Sequence, residues 1–426
     1  MRKLPVTPVL TSARRGSILP AVAVSILVIG AAMALALDRA WIDAAQVELT
    51  VATDAAALAA ARDLATDDLL RIGADTSDGR IAAARLAATQ VAEMNRVAGT
   101  PLALTDADIT FGQWVYSQSS GTFVFLETEL DPLAVMITGI RERSRSNPVG
   151  LLMRGVTGQP AADLARRAIA TLDNQIVGVR AAANLVVPGL PLAILDQDPT
   201  GNRLDTWQAQ ITARKGGDQA GYDTTTNTVT AAADGIPEIV LSGSATDAAT
   251  TTTKKPNFCF VDFSTSYDPQ HVATMVTHGW THGDLKPFNH ELSLANMPVT
   301  LPATAAPGGS EWEALTPMAG ECRVCLLYMP VAASTSTATG SSTGLAVSIT
   351  GLVAGRILSI SRNAGQPPQI VFQPGVIITR AAETATEIVA QVAAQNANSE
   401  TQTTSTAPVS STAALNPYIY KMTLAH

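Results

Sequence analysis

Residues 17–37, SILPAVAVSILVIGAAMALAL, are an unbroken uncharged apolar run of 21 positions. At 1.5 Å per residue such a run crosses a hydrocarbon layer about 30 Å thick as a helix. From Asp38 the pattern changes but the helix does not stop: no Pro or Gly occurs until about Ile72, and Ala and Leu dominate. In VATDAAALAAARDLA (51–65), alanine fills eight of fifteen positions. Two readings stay open for this stretch: a stable stalk helix, or a flat small-residue face that a partner helix approaches closely. A turn cluster, GADTSDG (73–79), precedes a second helix, RIAAARLAATQVAEMNRVA, over Arg80–Ala98, predicted to fold back on the first.

Beyond 100 the period shortens to two. DITFGQWVY and GTFVFLETEL alternate around a Ser-Gly turn and predict a hairpin, with AVMITGI as a third strand. VGLLMRGV reads as a short apolar helix, while LARRAIATL fits helix or strand equally. Residues 223–255 are Thr-rich around one apolar island, IPEIVL, and read as a linker or long loop. Strands follow in NFCFVDF, CRVCLLYMPV, LAVSITGLV, RILSISR and QIVFQPGVIIT, with STSTATGSSTG (334–344) as a hairpin loop. ETATEIVAQVAAQNA reads as a late helix, NSETQTTSTAPVSSTAA as disordered, and YIYKMTL as a last strand.

The predicted fold class is α+β: a transmembrane helix continuing into an Ala-rich stalk, a small mixed domain, then a β-rich C-terminal region. The implied segments are 1–16 cytoplasmic tail, 17–37 span, 38–98 stalk and 99–190 small α/β domain. They continue with 191–255 linker, 256–380 exported β-rich domain and 381–426 helix and low-complexity tail.

Charge fixes orientation. Arg2, Lys3, Arg14 and Arg15 precede the apolar run with no acid among them, and Asp38, Arg39, Asp43 and Glu48 follow it. The positive-inside rule keeps the first sixteen residues in the cytoplasm and exports the rest. A cleaved signal peptide is the rival, but its apolar core should be shorter and end in a small-x-small site. A third reading is a prepilin-like leader cut after Gly16, although Ala21 stands where such leaders carry Glu. The net charge of −8, with no basic stripe, excludes nucleic acid as a partner. Three cysteines cannot build a disulfide framework.

From Arg14 to Ala61 the chain resembles the N-terminus of TadG-like (TadE/TadG family) proteins of the tight-adherence, or Flp, pilus-assembly system. An Arg-Gly-Ser start leads into the span, and a helical stretch closes on a signature in Asp54, Ala55, Ala56, Ala57 and Leu58. The Phe-Gly-x-Trp and Gly-Thr-Phe segments in 108–125, and the order of elements to about 175, are similar to the same family. The resemblance implies a bacterial inner-membrane protein with one span and an exported body. It implies a role in pilus assembly or adhesion without catalysis or a cofactor. Its partners would be membrane lipid, through residues 17–37, and other assembly or envelope proteins. No small-molecule substrate is implied, and self-association is left open.

Four motifs invite a chemical reading. Asp262, Ser264 and Ser266 after an apolar strand match the metal-dependent adhesion site of von Willebrand A-type domains, in which an Asp and two hydroxyls ligate Mg²⁺. An exported adhesion module using that metal is the alternative function. His282-Gly-Asp284-Leu-Lys286-Pro-Phe-Asn289 has the spacing of a kinase catalytic loop but lacks the other kinase motifs. His271, His278, His282 and His290 cluster, and glycines break the helix that His278 and His282 would need for shared metal ligation. Cys322 and Cys325 are candidates for a disulfide, though residues three apart on an extended strand face opposite ways, and Cys259 is a second candidate partner. Ordinary polar turns, surface histidines and buried thiols account for the same residues.

Overall fold

In a computed structural model of the chain, the described residues are 18–71, 77–117, 122–224, 226–243, 245–246, 253–254, 256–330, 345–362, 367–387 and 415–425. Helix α1, Ile18–Leu64, runs 47 residues without a break. Pro20 falls in its first described turn, where a missing N–H costs no hydrogen bond. Among the described residues α1 is the one helix long and apolar enough to cross a membrane. Its first twenty residues are almost all exposed, Ile18 at 76% and Leu27 at 72%. From Asp38 onward one face is buried, through Ala45, Leu49, Ala52, Ala56, Ala60 and Leu64.

That spacing of three to four is the periodicity of a packed helix face. In the signature, Ala56 and Ala57 are buried, whereas Asp54, Ala55 and Leu58 are half-buried. The Ala-rich segment is therefore packed into the fold instead of forming a free stalk, because alanine lets a neighbouring backbone come close. Helix α2, Ser77–Met94, starts three residues earlier and stops four residues earlier than predicted. Its C-terminal end gives way to a tiny hairpin, Arg96–Val97 on Thr100–Pro101, turned by Ala98 and Gly99 at positive φ.

The chain divides into two compact units, each with its own packing. The first comprises Met1–Thr53, Ala92–Leu104 and Thr138–Arg167. Inside it Arg141 is buried and donates to the carbonyls of Asn147 (2.6 Å) and Val97 (2.7 Å), so three segments share one guanidinium. The short helix predicted at VGLLMRGV shrinks to one turn, Arg154–Thr157, because Val149–Gly150 pairs with Ala161–Ala162.

The second unit comprises Asp54–Val91, Thr105–Ile137 and Ala168–His426 and is β-rich. Strands β1 (Ile109–Ser117), β2 (Thr122–Glu127), β3 (Ala134–Arg141) and β4 (Leu164–Asp173) form a six-stranded sheet with the C-terminal Ile419–Ala425 and Ile377–Ile378. LARRAIATL is thus a strand, paired from Ile169 to Asp173 with Ala425 to Lys421.

A second set of strands closes on itself. These are β5 (Gly189–Leu195), β6 (Phe258–Val261), β7 (Val299–Thr304), β8 (Cys322–Pro330) and β9 (Leu345–Ser361). β5 pairs with β6, β6 with β7, β7 with β9 and β9 with β8, all antiparallel, and β8 returns to β5 in parallel. LAVSITGLV and RILSISR are one strand of 17 residues. It is long enough to leave the ring and pair with β10 (Gln369–Pro374), which in turn pairs with Ile239–Ser242.

Every residue of β5 and β6 is buried. The predicted boundary at 190/191 therefore cuts a central strand, and residues 191–255 are no simple linker. An apolar run between Pro188 and Asp196 gave no alternating signal, as expected for a strand covered on both faces.

Two helices sit in the predicted β-rich region, on stretches for which no element was predicted. Asp268 caps α3 (Pro269–His278) by accepting from the Gln270 N–H at 3.0 Å, with Pro269 at the first helical position. Helix α4 (Gly309–Leu315) buries Trp312 edge-on against Phe258 and Phe260. The loop predicted at 334–344 and the disordered stretch at 398–414 lie outside the described residues. So does the predicted late helix from residue 388 onward; of its start, 383–384 belong to the strand Ala382–Thr384 and residues 385–387 are helical. The whole is a long apolar N-terminal helix followed by a β-rich remainder, consistent with the α+β class.

Close approach makes Gly189 indispensable. A Cβ there would lie 2.3 Å from the Cδ2 and Cε2 atoms of Trp280, which is fully buried. Gly189→Ala should therefore lower stability by about 2 kcal/mol or more. Urea unfolding followed by tryptophan fluorescence measures this, and an unchanged midpoint would contradict the packing described.

Candidate functional site

The most elaborate polar cluster lies at the end of β6, where Asp262 is completely buried. Its Oδ1 accepts from the Ser264 N–H at 2.8 Å, and its Oδ2 from the Asp268 N–H at 2.9 Å. His271, in the first turn of α3, places Nδ1 2.8 Å from Asp262 Oδ1. Its Nε2 lies 2.9 Å from Oδ1 of Asp284. Asp284 Oδ2 accepts from both the N–H and the hydroxyl of Thr281 at 2.7 Å. One imidazole thus bridges two carboxylates and ties a strand end, a helix and a loop together.

Geometry sets the protonation state. A neutral imidazole has one N–H, yet both ring nitrogens here face acceptors, so the doubly protonated form fits best. Burial opposes that charge, but the hydrogen bonds to Asp284 and Asp262 and their negative charges outweigh it and raise the pKa of His271 above its ordinary value.

The structure brings the metal candidates together differently from an ion cage. Asp262 receives N–H groups on both oxygens, the Ser264 hydroxyl donates to the Ser266 carbonyl, and Ser266 is exposed. No group of three or more His, Cys, Asp or Glu side chains suited to a metal occurs among the described residues. In the kinase-like segment Asp284 is bonded to Thr281 and His271. Lys286–Phe288 forms a 3-10 turn ending at Asn289 in the left-handed region.

His278 is the last residue of α3, and Gly279 at φ 79° ends the helix, so His278 and His282 share no helix face. His282 and His290 instead stack with ring centroids 3.5 Å apart. Sequence reasoning missed His271 as a partner of Asp262. The signal available was the Asp-Pro cap at 268–269, which places His271 one turn in, facing back to the strand end.

All three cysteines are free. The candidate pair Cys322 and Cys325 lies along one continuous strand, β8, which projects them to opposite faces. Burial pushes the Cys322 thiol up to about 12 and those of Cys259 and Cys325 higher than usual, so none is poised as a nucleophile. A cleft of about 510 Å³ is lined by α2 residues including Asp78, Ile81, Arg85 and Thr89, with Asp106 and Glu129. Arg85 donates to the Asp106 carbonyl at 2.9 Å and meets the exposed Asp106 and Glu129 carboxylates only at 3.9 and 4.0 Å, which makes weak ion pairs. Gly16 lies outside the described residues. Compared with family models, curated proteins and solved structures, the chain shows no match.

The bridge acts as a latch, and its pH dependence has a definite sign. A raised histidine pKa stabilises the fold fully below the unfolded value near 6.5, and the gain is lost as pH rises through the folded value. The melting temperature should therefore fall from pH 6 to pH 9 by more in the native chain than in His271→Ala. At pH 6 that variant should be less stable by about 1–3 kcal/mol, because it leaves the Asp262 carboxylate short of a partner. Parallel melting curves for the two proteins would rule out the latch.

Proposed function

We propose that the chain is a non-enzymatic, membrane-anchored component of tight-adherence pilus assembly or surface adhesion. Residues 17–37 would hold it in the bacterial inner membrane, with the N-terminus in the cytoplasm and the body in the periplasm or outside the cell. The observation that carries this reading is the change of character along α1. It is apolar and fully exposed over residues 18–30, and one face is then progressively buried, through Ala34, Asp38 and Ala45. A helix exposing apolar side chains on every side is suited to lipid, and a one-sided face is suited to a protein core.

Four basic residues ahead of the span support the orientation. The TadG-like resemblance around Asp54–Leu58 supports the choice of system. The cluster around Asp262 supports a role in holding the body rigid for protein contacts.

Protease added to spheroplasts should digest the body and leave a membrane-protected peptide containing Arg14–Ser17 intact. Deleting the gene should remove surface pili, with rescue by the full chain but not by one lacking residues 17–37. A body recovered from the cytoplasm would refute the reading. A mature chain starting at Ser17 would indicate cleavage after Gly16 and a place in the fibre itself.

A further inference from the structure

Within the first unit, the segment Val149–Thr157 is fastened to α1 just where the apolar run ends. Asp38, 5% exposed, accepts from the Met153 N–H at 2.8 Å and from the Thr157 hydroxyl at 3.2 Å. One turn further along, the indole of Trp41 donates to the Gly150 carbonyl at 3.0 Å. The same helix face is also covered one turn lower, since Ala34 is only 3% exposed. Yet Leu152 and Val156, on the fastened segment, are 57% and 62% exposed. Leu35 and Leu37, in the turn of α1 just before Asp38, are exposed as well.

Length makes this placement consequential. The wholly exposed part of α1, residues 18–30, is thirteen residues, or about 20 Å, short of the roughly 30 Å a bilayer core requires. Arg14 and Arg15 bound the span on its other side. The hydrocarbon level must therefore reach the turn of Ala34–Leu37, which directly precedes the Asp38 to which the segment is fastened. We infer that the segment Val149–Thr157 is a second membrane contact: Leu152 and Val156 insert into the interface of the exported leaflet beside α1.

The chemistry of the surroundings suits a phosphate-bearing lipid surface. Trp41 sits where aromatic side chains prefer the headgroup boundary. Arg154 is exposed between the two apolar residues, and its stem lets the guanidinium rise to headgroup phosphates. Residues 138–167 hold six arginines against two acids in a chain whose net charge is −8. Such an amphipathic segment lies in the interface plane and does not cross it. It would fix the height and tilt of α1, which a lone span leaves free.

This inference rests on the anchor reading, and one experiment separates the two. Full-length variants Leu152→Cys, Val156→Cys, Leu27→Cys and Thr100→Cys are labelled with an environment-sensitive fluorophore. They are then reconstituted into phosphatidylethanolamine–phosphatidylglycerol vesicles. Thr100 is the wet control, since nearby Ala98 donates its N–H to Glu48, about 15 Å further along α1 than Asp38.

Lipids carrying a shallow nitroxide should quench the probes at 152 and 156 several-fold more than the probe at 100. Deep nitroxides should quench the probe at 27. Quenching at 27 with water-like probes at 152 and 156 would overturn the inference and leave the anchor standing. A water-like probe at 27 would overturn both.

Discussion

On the anchor reading proposed above, a helix that passes from lipid to protein must satisfy its backbone in both media without a break, and α1 runs 47 residues unbroken. In hydrocarbon there is no water to accept stray N–H or C=O groups, so an interruption near the boundary would be costly. The sequence avoids one: Pro20 is confined to the first described turn, Gly30 is the last glycine in α1, and alanine takes over where the fold begins. Alanine suits both demands, as the strongest helix former and as a side chain thin enough for close packing. Asp38 marks the transition. It is the first charge after the apolar run, and it is buried because two donors from a distant part of the chain meet its carboxylate.

The β-rich unit solves a different problem. A sheet with free edges invites pairing with other chains, and a ring of strands removes most of those edges. The closure depends on β9, whose 17 residues serve β8 on one side and first β7, then β10, on the other. Bulges in its pairings at Leu327/Tyr328 and Ile357/Ser359 let so long a strand bend from one neighbour to the next. Phe258, Phe260 and Trp312 fill the space against it in edge-to-face contacts near 6 Å. With aromatics only 4% of the chain, their concentration there shows where large side chains are needed.

Local pattern announced the local features well. The long apolar run, the Ala-rich continuation of its helix, the β1–β2 hairpin and the strand at Cys322 are each visible as a run or an alternation. What escaped was non-local. β5 has no alternation because both its faces are buried, so its apolar residues looked like part of a featureless region. Helix α3 had a legible cap in Asp268-Pro269, but Thr274, Thr277 and His278 are exposed and polar His271 is turned inward to Asp262, which masks the periodicity.

The site was half legible for the same reason. Asp262 was singled out correctly as a special residue at a strand end. Its side-chain partner His271 lies nine residues along the chain, Asp284 lies thirteen beyond that, and the other partners contribute only backbone N–H groups, which no spacing rule identifies.

The use to which Asp262 is put follows from its burial. A carboxylate with no exposed surface must be fully hydrogen-bonded or paired, because desolvating an unpaired charge costs several kcal/mol. A divalent ion could meet that need, but an ion requires oxygens that converge on a point. Here the backbone of the 262–268 turn instead directs N–H groups inward, a lining suited to an anion. Histidine completes that lining by adding a donor and a positive charge from α3, and Asp284 shares the charge from the far side. The cluster thus behaves as a clamp whose positive member lies in its middle, and its tightening stiffens the junction of strand, helix and loop. Each polar atom of the three side chains is thereby engaged within the fold.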